Sequence, residues 1–68
     1  MERQELENRL RSFEILSFVN DTDVFEFSFS KLRGGFKVMR NGSLLNKRFT
    51  FQNIVMMIKM RDLQFEEF

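Results

Sequence analysis

The side chains best placed to do chemistry in this chain are cations. Lys31, Arg33, Lys37, Arg40, Lys47, Arg48, Lys59 and Arg61 fall between Phe27 and Arg61 with no carboxylate among them. Residues 1–26 hold three cations and seven anions, and residues 62–68 hold three anions. The formal net charge of +1 therefore conceals a basic block with acidic flanks. Lys and Arg grouped in this way suit contacts with phosphate, the sequence-independent part of nucleic-acid affinity. Arg33, Lys37, Arg40, Lys47 and Arg48 are the candidate nucleic-acid ligands.

Other chemistry has little to work with. The chain lacks His, Cys and Tyr, so proton transfer or nucleophilic attack would fall to carboxylates, Lys, Ser or Thr, and no such set stands out. The expectation is a protein that is not an enzyme, with no metal and no cofactor. Asp21-Thr22-Asp23 reads as a turn, because a hard cation wants about six oxygens and the EF-hand spacing is missing. Arg33-Gly34-Gly35 reads as hairpin geometry, with neither Walker nor dinucleotide spacing around it.

The elements that must position the cations are clearest from Val24 to Phe51. Gly34-Gly35 and Asn41-Gly42 are pairs that accept the positive φ of tight hairpin turns, and each is flanked by alternating apolar and polar residues. Two-residue turns would pair Arg33 with Phe36, Phe29 with Arg40, Val38 with Leu45 and Phe36 with Lys47. One sheet face then collects Phe25, Phe27, Phe29, Phe36, Val38, Leu45, Phe49 and Phe51. The other carries Glu26, Ser28, Ser30, Leu32, Lys37, Met39, Leu44, Asn46, Arg48 and Thr50, so Lys37 and Arg48 share a wettable surface, while Arg33, Arg40 and Lys47 sit at turns or strand ends. The Phe residues of the first face belong to a core and are not base-stacking platforms.

Met1 to about Arg11 favours a helix with a thin stripe of Leu6, Leu10 and Phe13. Phe13 to Val19 is rich in Ile, Val and Phe and precedes the turn-like Asn20-Asp21-Thr22-Asp23, which predicts a strand with Val19 opposite Val24. Leu16 and Phe18 then join the Phe face. Phe13, Ile15 and Val19 fall on the opposite face, with the first helix as their cover. Thr50 is an N-cap for a second helix over Phe51 to about Arg61, packed on the Phe face. The expected fold is α+β, α-β-β-β-β-α, with a four-stranded antiparallel meander. A long first helix with only three strands is the alternative. Sixty-eight residues make one small domain without disulfide or zinc staples, which favours dense packing or a homodimer through an edge strand or the patch of Leu32, Met39 and Leu44.

The order of four strands followed by a helix is similar to that of PUR-type modules that bind single-stranded DNA and RNA. That resemblance, in element order alone, together with the basic block, leads to the expectation of a nucleic-acid-binding protein that prefers single strands. The rival is a protein-binding inhibitor or adaptor of the phage type, using exposed Met and Leu. The segment 62–68 is an acidic, aromatic tail. Its final Phe resembles the acidic tip of bacterial and phage single-strand-binding proteins, which implies a partner-binding role for Phe65, Glu66, Glu67 and Phe68; packing of Leu63, Phe65 and Phe68 on the core is the alternative. The uncharged run from Phe49 to Ile58 is far short of the roughly 18 to 20 residues of a membrane span. With an N-terminus of alternating charges in place of a leader, the expected location is the cytoplasm.

Overall fold

A computed structural model describes residues 1–67. In chain order the elements are α1 (Arg3–Arg11), β1 (Leu16–Val19), β2 (Val24–Ser30), β3 (Gly35–Arg40), β4 (Ser43–Leu44), α2 (Phe51–Met60) and β5 (Gln64–Phe65). The sheet is antiparallel throughout in the order β4-β3-β2-β1-β5. The α+β class and the meander hold, and the three-strand alternative does not. A fifth strand is added where the sequence suggested a tail.

The partition of the strand residues into faces holds although two of the expected registers do not. Phe29 pairs with Phe36, and Ser30 with Gly35, not Phe29 with Arg40. The turn is a four-residue loop, Lys31 to Gly34, in which Gly34 alone has positive φ. Gly35 is a glycine for a different reason: a Cβ there would lie 2.6 Å from Cγ of Arg48, which packs across it. The turn's centre moves two residues toward the N-terminus, so each residue's partner moves by four, and because side chains alternate with period two the strand residues keep their faces. Leu32, expected on the open face, lies in the loop instead.

The second hairpin matches its sequence signal, with Asn41 and Gly42 both at positive φ and Arg40 opposite Ser43. Beyond Leu45 the chain kinks, with the Lys47 N–H donating to the Leu45 carbonyl (2.7 Å), and it rejoins β3 where Phe36 bridges Phe49. Phe36 therefore faces Phe49 in place of Lys47. Two residues are again the difference, so Phe49 still points inward.

Both helices cover the same side. Leu6 and Leu10 from α1 and Phe51 and Ile54 from α2 join Leu16, Phe18, Phe25, Phe27, Phe36, Val38, Phe49 and Leu63 in one core. The expected cover of the opposite corner by α1 is thus corrected, and Ile15 is left 66% exposed. The reason lies in the stripe: Leu6 and Leu10 are its only deep members, and the deep apolar surface is the Phe face.

The strand expected from Phe13 starts only at Leu16, because α1 ends in a Schellman closure. The N–H of Phe13 donates to the Leu10 carbonyl (3.0 Å) and that of Glu14 to the Arg9 carbonyl (3.2 Å), with Phe13 left-handed at φ 66. Helix α2 closes in the same way, with Asp62 at φ 52 and the Leu63 N–H on the Ile58 carbonyl (2.9 Å). Its start is a capping box, in which Thr50 Oγ1 accepts from the Asn53 N–H (3.1 Å) and Asn53 Oδ1 from the Thr50 N–H (2.9 Å).

Phe27 has no exposed surface and lies in the central strand, with its ring 5.7 Å from that of Phe18. Truncation to Ala is expected to cost about 3 to 5 kcal/mol, enough to threaten a domain of this size. Urea denaturation followed by circular dichroism measures it; a loss below about 1 kcal/mol would mean that the Phe face is not the core.

Candidate nucleic-acid interface

The loop between β2 and β3 and the kinked link from β4 to α2 meet at one end of the sheet. The Arg33 guanidinium donates to the Lys47 carbonyl (3.2 Å), while the Arg33 N–H donates to Ser30 Oγ (3.3 Å). Lys47 in turn places its ammonium 5.5 Å from the centroid of the Phe49 ring. These contacts hold two long cationic side chains in place without neutralising either, because neither has a carboxylate partner among the described residues. Lys31 lies exposed in the same loop, and its place inside the acid-free block was the only signal for it.

The five cations singled out from sequence fall into three groups. Arg33 and Lys47 form the loop end just described. Lys37, opposite Ser28, and Arg48, lying across Gly35, belong to the uncovered face of the sheet. Arg40 stands apart from both, at the far end of β3 on the covered side, opposite Phe25.

Arg40 is also engaged. Its Nε and Nη2 donate to the two carboxylate oxygens of Asp23 at 3.3 and 3.2 Å, and its guanidinium lies 5.7 Å from the Phe25 ring centroid. Asp23 further accepts from Asn41 Nδ2 (2.8 Å) and Thr22 Oγ1 (3.3 Å). The neighbouring Asn20 accepts from the backbone N–H groups of Thr22 and Asp23 and donates to the Arg61 carbonyl at the end of α2. Asn20 to Asp23 is therefore a turn that clamps the β3–β4 hairpin and the α2 C-terminus together. Among the described residues no three carboxylates gather as metal ligands.

Beside the loop end, an aromatic side chain is left in water. Phe13 is 59% exposed, with its ring 5.8 Å from that of Phe29, two residues before Lys31. Arg11 completes this end, with its guanidinium 5.8 and 5.5 Å from the Phe29 and Phe36 centroids and bonded to Glu7 (3.1 Å). Together with Arg48 and the start of α2 it borders a shallow cleft of about 370 Å³. Sequence reasoning put Phe13 in a strand and so missed it, because nothing marks a Phe as the left-handed residue of a helix end.

The C-terminal segment is a sheet edge as far as Glu66. Phe65 pairs with Phe18, the Glu66 N–H donates to the Ser17 carbonyl (2.9 Å), and Leu63 is buried. This favours the packed alternative for residues 63–66. Glu67 is exposed, and Phe68 lies outside the described residues.

Comparison of the chain with protein-family models, with curated proteins and with solved structures gives no match. The functional reading rests on the chain's own residues.

The Asp23 carboxyl is held below its usual range, first by the Asn41 amide and then by Arg40. A depressed folded-state value means that its contribution to stability is complete above the unfolded value of about 4 and fades as pH falls through the lower folded value. Wild type should therefore be more stable than Asp23→Asn at neutral pH, with the gap narrowing steadily below about pH 4. Chemical denaturation at a series of pH values checks this; a gap unchanged into strong acid would show that the carboxylate charge does not matter.

Proposed function

We propose that this protein binds single-stranded nucleic acid at the loop end of its sheet, with Lys31, Arg33 and Lys47 on phosphates and Phe13 stacking on a base. The observation that carries the reading is the arrangement of Arg33 and Lys47: two cations linked at 3.2 Å through backbone, without a carboxylate partner among the described residues. Of the five cations considered from sequence, Arg40 drops out because Asp23 already holds it. Single strands are favoured over duplex because their bases are free to meet an exposed ring, and stacking contributes about 1 to 3 kcal/mol per base.

Phe13 supports the same reading from the side of stability. A non-glycine residue in the left-handed region costs about 1 kcal/mol or more, and this one gains little burial in return. Glycine would close the helix at lower cost. An aromatic ring held in water against Phe29, two residues before the loop that carries Lys31 and Arg33, has a use if bases stack on it.

The rival is a protein-binding inhibitor or adaptor. One observation favours it: Met56 and Met60 are 42% and 76% exposed on α2, beside a cleft of about 400 Å³ that Lys47 and Arg61 also line. Methionine-rich surfaces adapt to varied apolar partners. Such an interface weakens little with salt, whereas phosphate binding weakens steeply.

Fluorescence anisotropy with a labelled single-stranded oligonucleotide over a range of salt tests the proposal. The logarithm of affinity is expected to fall linearly with the logarithm of salt, and Arg33→Ala and Lys47→Ala each to reduce the slope by about 0.7, while Lys59→Ala at the far end of α2 leaves it unchanged. Phe13→Gly should keep or raise stability yet weaken binding about fivefold or more. No binding at low salt would sink the reading, and affinity insensitive to both cation variants would put the site elsewhere.

A further inference from the structure

The outward side of α2 is unlike that of α1. Every exposed residue of α1, namely Arg3, Gln4, Glu5, Asn8 and Arg11, is polar or charged. On α2 the exposed residues include Met56 and Met60, one turn apart, and Val55, Met57 and Ile58 are only half-buried. From Phe51 to Met60 the sole charge is Lys59. A helix resting on a core normally turns charged residues outward, and one that is apolar nearly all round is normally covered.

Each flank of α2 carries a cleft. Met56, Met57 and Met60 line one of about 400 Å³ together with Lys47 and Arg61. Leu6, Val55 and Ile58 line another of about 200 Å³ together with Arg3 and Lys59. Val55 and Met57 are two residues, or about 200°, apart around the helix, so the clefts open on different sides of it.

The ionisable side chains of both clefts are all cations: Arg3, Lys47, Lys59 and Arg61. None of them has a carboxylate partner among the described residues. Arg3 donates to Gln52 Oε1 (2.7 Å), and Lys47 and Arg61 lie 5.5 and 5.4 Å from the Phe49 and Phe25 ring centroids. These contacts fix position without neutralising charge. Glu2 and Asp62 adjoin Arg3 and Arg61 in sequence but line neither cleft.

We infer that α2 and its two clefts bind a short acidic segment of another protein, one that carries large apolar side chains among its Asp and Glu residues. The apolar side chains enter the clefts, and the carboxylates meet Lys47 and Arg61 on one flank and Arg3 and Lys59 on the other. Thioether side chains adapt to varied apolar shapes, so the cations decide what is accepted. A second copy of this surface would offer those cations no carboxylate. Size selects a segment over a folded partner, because ten residues at about 1.5 Å make a ridge of about 15 Å, far short of a standard interface. Nucleic acid suits the surface less well, since methionine presents no ring to a base. The inference does not rest on binding at the loop end, with which it shares only Lys47.

Fluorescence anisotropy with the full chain and labelled peptides of about ten residues is the test. One peptide combines Glu and Asp with Leu and Phe, a second has the acids replaced by Lys and Arg, and a third has Leu and Phe replaced by Ser. The first is expected to bind in the micromolar range and the other two about tenfold more weakly or worse. Met56→Ser/Met60→Ser, at two exposed positions, should weaken the first by about tenfold, and Lys47→Glu/Lys59→Glu should weaken the first and strengthen the second. Arg33→Ala should leave both unchanged. No binding of the acidic apolar peptide at near-millimolar concentration overturns the inference, as does affinity that ignores the methionine pair. A loss with Arg33→Ala equal to that of the methionine pair would move the peptide to the loop end. Methionine-dependent binding of phosphatidylglycerol vesicles, with none of the peptide, would give the surface to lipid instead.

Discussion

Everything in this molecule follows from one-sided burial. Ten Phe residues, with Leu, Ile and Val beside them, must make a core in 68 residues, and the strands solve this by turning their aromatics to a single face. Once both helices are spent on that face, none of the described elements is left to cover the other. The core gains depth, with Phe27, Val38, Leu10 and Ile54 fully enclosed. Polar, charged and half-exposed apolar residues are left on a broad open surface, and the cations are left at its end.

The loops are as well determined as the sheet. Asn20, Asp23, Asn41 and Arg40 lock two turns and the end of α2 into one polar network at one end of the sheet. At the other end, Arg33, Lys47 and Arg48 are set by contacts to backbone and to glycine. The contrast between the two ends is electrostatic. Arg40 has its carboxylate, whereas Arg33 and Lys47 have carbonyl and ring partners that fix position and leave charge unspent. A cation in the second situation keeps more of its attraction for phosphate.

The division of residues between faces was legible in the sequence because a period of two forgives errors of any even number of residues. The first hairpin loop has four residues, Lys31 to Gly34, where Gly34-Gly35 suggested two, and the link after Leu45 carries two extra residues, yet Phe29, Phe36 and Phe49 all point inward. Thr50 as N-cap and Asn41-Gly42 as a turn were legible because each signal is local. What depends on register was not. The Asp23 to Arg40 pair joins residues seventeen apart only once Phe25 faces Arg40. Strand β5 is two residues long and exists because β1 offers an unpaired edge, which no pattern in Gln64-Phe65 reveals. Phe13 closes a helix where glycine is usual, so its exposure was hidden too.

The central claim is that fold and function occupy different surfaces, with the Phe face holding the molecule together and the loop end meeting nucleic acid. NMR chemical-shift mapping during titration with a single-stranded oligonucleotide tests it most directly. The account predicts progressive shifts concentrated at Phe13, residues 31–34 and residues 46–48, with Asp23, Arg40 and the α2 C-terminus still. Shifts centred on the Asp23 to Arg40 end or on α2, or a spectrum that does not change at low salt, would contradict it.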